Sequence, residues 1–149
     1  MKKRTKIMIT AVAAVFLLIG CSLWIYFGQK VPLTKYLPEG ACETISLTFS
    51  APRDVKGYVV DDQAVKEIQK AIKEAKLRRT LPAEAWSSPV FELKLEHTLL
   101  YVSENGQVVI SIRGDDYVSE KACYYFTGGE ELYQQIREIA VKLKLFMTS

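Results

Sequence analysis

The chain has 149 residues, which is enough for one ordinary domain, and 49% of them are hydrophobic. The formal net charge of +3 is misleading, because five of the 20 Lys and Arg residues lie in residues 1–30, where there is no Asp or Glu. The rest of the chain has 15 basic and 17 acidic residues and a net charge of −2, which argues against nucleic acid as a partner.

The first predicted element is an apolar segment of 21 residues, 7–27, that contains no charged residue. A helix of this length spans ~30 Å, about the thickness of the hydrocarbon core of a bilayer. The basic residues in 1–6 predict that the N-terminus lies inside, since Lys and Arg are enriched on the cytoplasmic side of membrane segments. The sequence therefore predicts a cytoplasmic flank (1–6), a single-pass helix in the cell membrane (7–27) with the lipid bilayer as partner, and a C-terminal domain outside.

An alternative interpretation of the same segment is a lipoprotein signal. The residues LIGC at 18–21 have the order of a lipobox, in which a peptidase cuts before the cysteine and lipid is attached to its thiol. The chain stays apolar after Cys21, however, and Trp24 and Tyr26 have the position of the aromatic belt at the outer interface. An intact signal-anchor is the favoured interpretation and lipidation of Cys21 is the alternative. Both place the domain outside the cytoplasmic membrane.

Residues 28–40 are predicted to form a linker, because Pro32 and Pro38 favour extended backbone. Fully extended at ~3.1 Å per residue, this linker would hold the following domain up to ~40 Å from the membrane. The extracytoplasmic domain is expected to comprise residues 41–149.

Within this domain, alternating apolar residues predict strands, and apolar residues at helical spacing predict helices. Strands are expected near residues 45–49, 56–60, 91–95, 99–102, 108–112 and 122–126. The segment 99–102 either continues the preceding strand or begins a new one. Asn105-Gly106 predicts a hairpin with a type I′ turn before the next strand.

One helix is expected near 62–76, capped by Asp61 or Asp62. A second is expected after Thr127, whose spacing from Glu130 fits a capping box. Two amphipathic helices and an antiparallel sheet can bury their apolar sides against each other. We therefore predict an α+β fold, in which the N-terminal transmembrane helix precedes a small antiparallel sheet with two helices packed on one face.

Cys42 and Cys123 are the two cysteines outside the apolar segment. An even pair in an extracytoplasmic domain can form a disulfide, and these two would meet if the first and last predicted strands are neighbours. The alternative is that both are small buried apolar side chains.

His97 is the only histidine, and no second His or Cys lies near it in the sequence, so we expect no metal site and no cofactor. A hydrolase centre that combines His97 with carboxylates from elsewhere is arithmetically possible, but no G-x-S-x-G motif supports it. A solvated or packed histidine is therefore the favoured interpretation.

Four aromatic residues are candidates for a ligand-binding surface: Trp86, Tyr117, Tyr124 and Tyr125. Trp86 lies in a loop bounded by prolines, and the tyrosines crowd the end of the predicted sheet. Neighbouring residues of a strand point to opposite faces, so Tyr124 and Tyr125 cannot both lie in the core. Packing within the fold is the alternative role for all four.

The layout of the whole chain, together with the lipobox-like residues 18–21, resembles small membrane-anchored or lipoprotein-type extracytoplasmic proteins of unknown function from Gram-positive bacteria. The resemblance implies an anchored domain outside the membrane and carries no functional residues. The leading hypothesis is a non-catalytic, membrane-tethered binding or accessory domain for an envelope protein or a cell-wall ligand. The alternatives are an envelope hydrolase that uses His97, and a structural role in which the membrane helix organises a larger complex.

The two interpretations of the apolar segment predict different masses. We expect protein purified from membranes to have the mass of the uncleaved chain, because the apolar run continues past Cys21. Intact mass spectrometry checks this. Loss of residues 1–20 together with a diacylglyceryl adduct on Cys21 would instead show that the protein is a lipoprotein.

Overall fold

The computed structural model of the protein describes residues 3–82 and 89–148. In these ranges the helices are α1 (Lys3–Gly28), a 3-10 helix (Leu33–Tyr36), α2 (Asp62–Glu74) and α3 (Glu130–Lys142). The strands are β1 (Lys30–Pro32), β2 (Ile45–Ala51), β3 (Asp54–Val59), β4 (Lys76–Arg79), β5 (Val90–Leu95), β6 (Thr98–Ser103), β7 (Val108–Arg113), β8 (Glu120–Thr127) and β9 (Lys144–Thr148).

The predicted apolar segment forms one continuous helix, α1, of 26 residues. It is the one helix in the described part of the chain that is long and apolar enough to cross a membrane. None of its described residues is buried within the protein. These properties make α1 a candidate membrane span or signal-anchor.

The nine strands form one antiparallel sheet in the order β1-β4-β8-β7-β6-β5-β2-β3-β9. The predicted α+β mixture is therefore confirmed, but the sheet is larger than the small sheet expected. The additional strands are β1, β4 and β9, which have three to five residues each. Segments this short show too little alternation to be recognised, and β4 and β9 directly follow helices.

The central strands place their apolar side chains at matching levels on one face of the sheet. One inward row across β2, β5, β6 and β7 consists of Leu47, Leu93, Leu100 and Ile110, each at most 2% exposed. Ile68 of α2 and Ile136 of α3 belong to the same buried cluster, and the ring of Tyr133 in α3 lies 5.2 Å from that of Phe91 in β5. Each fully buried side chain of this size stabilises the fold by ~1.5–3 kcal/mol.

The start of α2 is capped by one of the two residues predicted from the sequence. Asp61 is the capping residue, because its Oδ1 accepts a hydrogen bond of 2.7 Å from the backbone N–H of Ala64. Asp62 lies in the first turn, where its charge faces the positive end of the helix dipole.

The start of α3 differs from the prediction. Thr127 belongs to β8, and the residue that precedes α3 is Gly129, which forms no side-chain cap. The N–H of Gly129 instead donates to the carbonyl of Gly106, 2.9 Å away in the β6–β7 loop. The capping box is therefore absent, because a backbone contact with the hairpin loop fixes this end of the helix.

The hairpin loop itself forms between β6 and β7, but not with the expected turn type. Gly106 has a φ of 84°, whereas Asn105 has a negative φ. A type I′ turn requires positive φ at both central residues, so the predicted turn type is wrong although the hairpin is present.

The segment predicted as a linker, 28–40, is partly incorporated into the fold. β1 pairs with β4, and Val31 and Leu33 are buried in the core. Helix α1 ends at Gly28, so a single residue separates it from the sheet. The chain therefore lacks the ~40 Å extended tether that thirteen free residues would provide.

Arg79, at the end of β4, connects the sheet to the last turn of α1. Its Nη1 donates to the carbonyl of Tyr26 at 3.2 Å, and its Cζ lies 4.4 Å from the centroid of the Tyr26 ring. Its Nε donates to the hydroxyl of Tyr36 at 2.6 Å. Because α1 has no basic residue in its own last turn, Arg79 supplies the cation that favours the negative end of a helix.

The two aspartates at the start of α2 allow a matched test of the cap. We expect Asp61→Ala to lower the free energy of unfolding by about 1 kcal/mol, because it removes the hydrogen bond to the backbone. Asp62→Ala should lower it less, since only the interaction with the helix dipole is lost. Urea unfolding of the full chain in detergent micelles measures both; equal losses would contradict the assignment of Asp61 as the cap.

Candidate functional site

A cleft lies on the sheet face opposite to the core. Leu100 of β6 and Ile110 of β7 point into the core, so the residues that follow or precede them in these strands point to the other face. Tyr101, Val109 and Tyr125 form one row across β6, β7 and β8. They line a cavity of about 300 Å³, which Thr80 and Leu81 border at the end of β4. We call this cavity the sheet cleft.

The sheet cleft also contains polar side chains of several kinds. Ser111 donates from Oγ to Oε2 of Glu120 at 2.8 Å. Arg113 donates from Nη1 to the carbonyl of Val118 at 3.2 Å and is hydrogen bonded to the hydroxyl of Tyr101. One cation and one carboxylate therefore lie in the same cleft, beside neutral hydroxyl groups.

Both tyrosines of the cleft hold their protons more tightly than a free tyrosine. Burial raises the pKa of Tyr101, and the carboxylate of Glu92 adds to the rise. A hydrogen bond with Cys123 is the first cause that raises the pKa of Tyr125, followed by the negative charge that Cys123 carries as a thiolate and by burial. Both hydroxyls are consequently neutral at physiological pH and can donate to a ligand or accept from it.

The four predicted aromatic residues lie in different places. Tyr125 lines the cleft, whereas Tyr124 lies on the other face with its ring 5.0 Å from that of Tyr36. Tyr117 lies in the turn between β7 and β8, and Trp86 falls outside the described residues. The structure thus brings one of the four into the cleft and adds Tyr101. Tyr101 was not among the residues predicted from the sequence, although its place beside the apolar Leu100 indicates an outward position.

His97 joins two turns at one end of the sheet. Its ring stacks on that of Tyr117 with centroids 4.4 Å apart, and its carbonyl accepts from the N–H of Arg113 at 2.7 Å. Its Nε2 lies 3.9 Å from Oε1 of Glu96. His97 does not line the sheet cleft. These contacts connect the β5–β6 turn with the β7–β8 turn.

Cys42 and Cys123 are free thiols in this structure, so the disulfide that was one of the two alternatives for this pair is not formed. Cys42 packs against the core just before β2, and burial raises its pKa. Cys123 lines the sheet cleft on β8. Three strands separate β2 from β8, which is ~19 Å at ~4.8 Å per strand and well beyond the reach of a disulfide. The pairing depended on these strands being neighbours.

The cleft is at the small end of the size range of ligand-binding pockets. Its combination of two aromatic rings with a few polar groups is typical of a binding site for a small ligand.

In the described ranges, no group of three or more His, Cys, Asp or Glu side chains is placed to hold a metal ion. Comparisons of the chain with protein-family models, with curated proteins and with solved structures found no match.

The contact between Cys123 and Tyr125 can be tested by titration. Cys123→Ala should lower the pKa of Tyr125 towards the ordinary tyrosine value of about 10, because it removes the hydrogen bond to the protonated phenol. The phenolate absorbance of each chain is measured against pH, with Tyr125 present and with Tyr125→Phe. The difference between the two titration curves is the titration of Tyr125 alone. Cys42→Ala is the control and should leave the titration of Tyr125 unchanged.

The same raised pKa values affect stability at high pH. A proton bound more tightly in the folded state stabilises it fully below the unfolded pKa of about 10, and this contribution is lost as pH rises through the folded pKa. The free energy of unfolding should therefore fall less with alkaline pH in Cys123→Ala than in the wild type. Equal pH dependence, together with an unchanged Tyr125 titration, would contradict the assigned contact.

Proposed function

We propose that the protein is a membrane-tethered, non-catalytic binding domain that lies outside the cytoplasmic membrane and holds its ligand in the sheet cleft. The observation that carries this proposal is the grouping of Tyr101, Tyr125, Arg113 and Glu120 in one cavity on the face away from the core. Tethering is supported by α1, and the outside location by the basic residues that precede it.

The side chains of the cleft favour an uncharged, polar ligand. Arg113 and Glu120 balance each other in charge, so the site has little net attraction for a strongly charged group. The tyrosine rings offer flat apolar surface, and their neutral hydroxyls with Ser111 offer both donors and acceptors. A sugar unit of a cell-wall polymer combines flat apolar faces with many hydroxyl groups. We therefore propose a cell-wall glycan rather than an envelope protein as the ligand.

We further propose that α2 and α3 both cover the core-bearing face of the sheet. Support comes from the single buried cluster that contains Ile68, Ile136 and the inward strand residues. With one face covered by helices, the opposite face of β6–β8 is left for the ligand. A cleft on a sheet is held by ladder hydrogen bonds and changes little in shape when a ligand binds.

A non-catalytic role for His97 is part of this proposal. The ring stacks on Tyr117 and lies outside the cleft, which suits a residue that stabilises two turns. The hydrolase alternative requires this ring to act as a base towards a bound substrate. It would gain support if His97→Ala kept ligand binding but abolished breakdown of an envelope polymer.

Adjacent tyrosines on opposite faces of β8 provide the test of the cleft. The native Cys123 thiol serves as a reporter, because a bound ligand shields it from iodoacetamide. Soluble glycan fragments of the cell wall should slow alkylation of Cys123 several-fold in the wild-type chain. Tyr125→Ala should abolish this protection, since it removes one wall of the cleft.

Tyr124→Ala is the matched control and should keep the protection, because its ring contacts Tyr36 on the other face. Each variant is compared with and without fragments, so a changed intrinsic reactivity of Cys123 cancels. Protection that is absent in the wild type, or equal in both variants, would overturn the proposed site.

Orientation is checked separately: an impermeant amine reagent should modify the exposed lysines of α2 in intact cells, but Lys3 only after permeabilisation.

A further inference from the structure

A group of exposed basic side chains lies where the sheet meets α1. It comprises Lys30 of β1, Lys35 of the 3-10 helix, and Lys76 and Arg78 of β4. The segments 29–36 and 76–80 that carry these residues contain no Asp or Glu, although the chain after residue 30 is acidic overall. We call this group the basic edge.

The pairing of β1 with β4 brings like charges together. Val31 and Leu77 face the core, so Lys30, Lys76 and Arg78 project from the other face. Lys30 lies directly opposite Arg78 in the register. Like charges in such a position destabilise a sheet unless a counter-charge is present.

The nearby protein supplies only part of a counter-charge. Glu74 and Glu131 share a depression with Lys30 and Lys76 at one side of the basic edge. Among the described residues, none of the four basic head groups forms an ion pair. The arrangement therefore suits an anionic partner from outside the domain.

The basic edge lies at the end of the apolar helix. Gly28 ends α1, and Lys30 follows two residues later, which is at most ~7 Å along the chain. Arg79, next to Arg78, contacts Tyr26 in the last turn of α1. If α1 spans a bilayer, the basic edge lies at the level of the lipid headgroups.

We propose that the basic edge binds the anionic headgroups of the leaflet from which α1 emerges, so that the sheet is held against the bilayer surface. This inference rests on the membrane anchoring proposed above. Each Lys or Arg near an anionic surface strengthens binding roughly fivefold at physiological ionic strength, so four act together strongly, and higher salt weakens the effect by screening.

One consequence concerns the sheet cleft. β4 neighbours β8, and the N–H of Thr80 donates to the carbonyl of Tyr125 at 3.0 Å. Holding β4 at the headgroups therefore fixes the cleft one strand away from the membrane surface. The cleft would then select ligands that lie close to the bilayer.

Lysine acetylation of the full-length chain in nanodiscs tests the proposal. Discs of phosphatidylcholine alone are compared with discs of equal parts phosphatidylcholine and phosphatidylglycerol, with an uncharged acetylating reagent and mass spectrometry of each lysine. Acetylation of Lys30, Lys35 and Lys76 should slow roughly threefold or more in the anionic discs and recover in high salt. The exposed lysines of α2, Lys66, Lys70 and Lys73, are internal controls and should not change.

A pair of charge-matched variants separates binding from mere proximity. Lys76→Gln/Arg78→Gln should release the protection of Lys35, because the edge then binds headgroups weakly. Lys66→Gln/Lys70→Gln removes the same charge from α2 and should leave that protection intact. Both variants alter exposed side chains, and thermal unfolding confirms that they fold.

Equal acetylation in the two kinds of disc would overturn headgroup binding, as would protection of Lys35 that survives Lys76→Gln/Arg78→Gln. Failure of the anchor has a different signature, because the chain would then not float with vesicles of either composition. If the chain floats with both kinds of vesicle but shows no lipid-dependent protection, α1 anchors the protein and only the binding of headgroups by the basic edge is contradicted.

Discussion

Strict alternation of side chains along β6, β7 and β8 is the constraint on which both the core and the cleft depend. Every second residue of β6 and β7 is buried or packs against the core, and Phe126 of β8 is buried beside Val108, so the residues between them must face the other way. The row that contains Leu100 and Ile110 therefore determines the row that contains Tyr101 and Tyr125. A shift of register by one residue would bury the tyrosines and expose the core, so the pairing that forms the core also forms the cleft.

Arg79 has a comparable role between α1 and the sheet. Its guanidinium contacts Tyr26 of α1 and Tyr36 of the 3-10 helix, and its backbone belongs to β4. With one residue between α1 and β1, these contacts restrict how far the domain can turn relative to the helix. A domain held in this way differs from one on a flexible tether, because its cleft would have a defined height above any bilayer that α1 spans.

Long elements with a regular pattern could be predicted from the sequence, and features that depend on distant pairing could not. α1, α2 and the central strands follow from composition and periodicity within each segment. β1 and β4 exist because they pair with each other across more than forty residues, which no local pattern reveals. The same limit applies to a bond between Cys42 and Cys123, which required their strands to be neighbours in the sheet. It also applies to the start of α3, where the backbone contact between Gly129 and Gly106 takes the place of the expected capping box.

The incorporation of residues 30–36 into the folded domain, with β1 in the sheet and Leu33 in the core, connects the proposed functions. A free linker would let a binding domain search a volume tens of ångströms deep, whereas an incorporated segment would keep it at the surface of a bilayer that α1 spans. Lys30 and Arg78 face each other with like charges, and anionic headgroups can supply the negative charge that the domain does not place beside them. Since β4 carries part of the basic edge and leads directly into Thr80 and Leu81 at the border of the cleft, contact with lipid and contact with ligand would act on the same segment. A ligand presented at the bilayer surface would then be bound without the loss of freedom that a long tether entails.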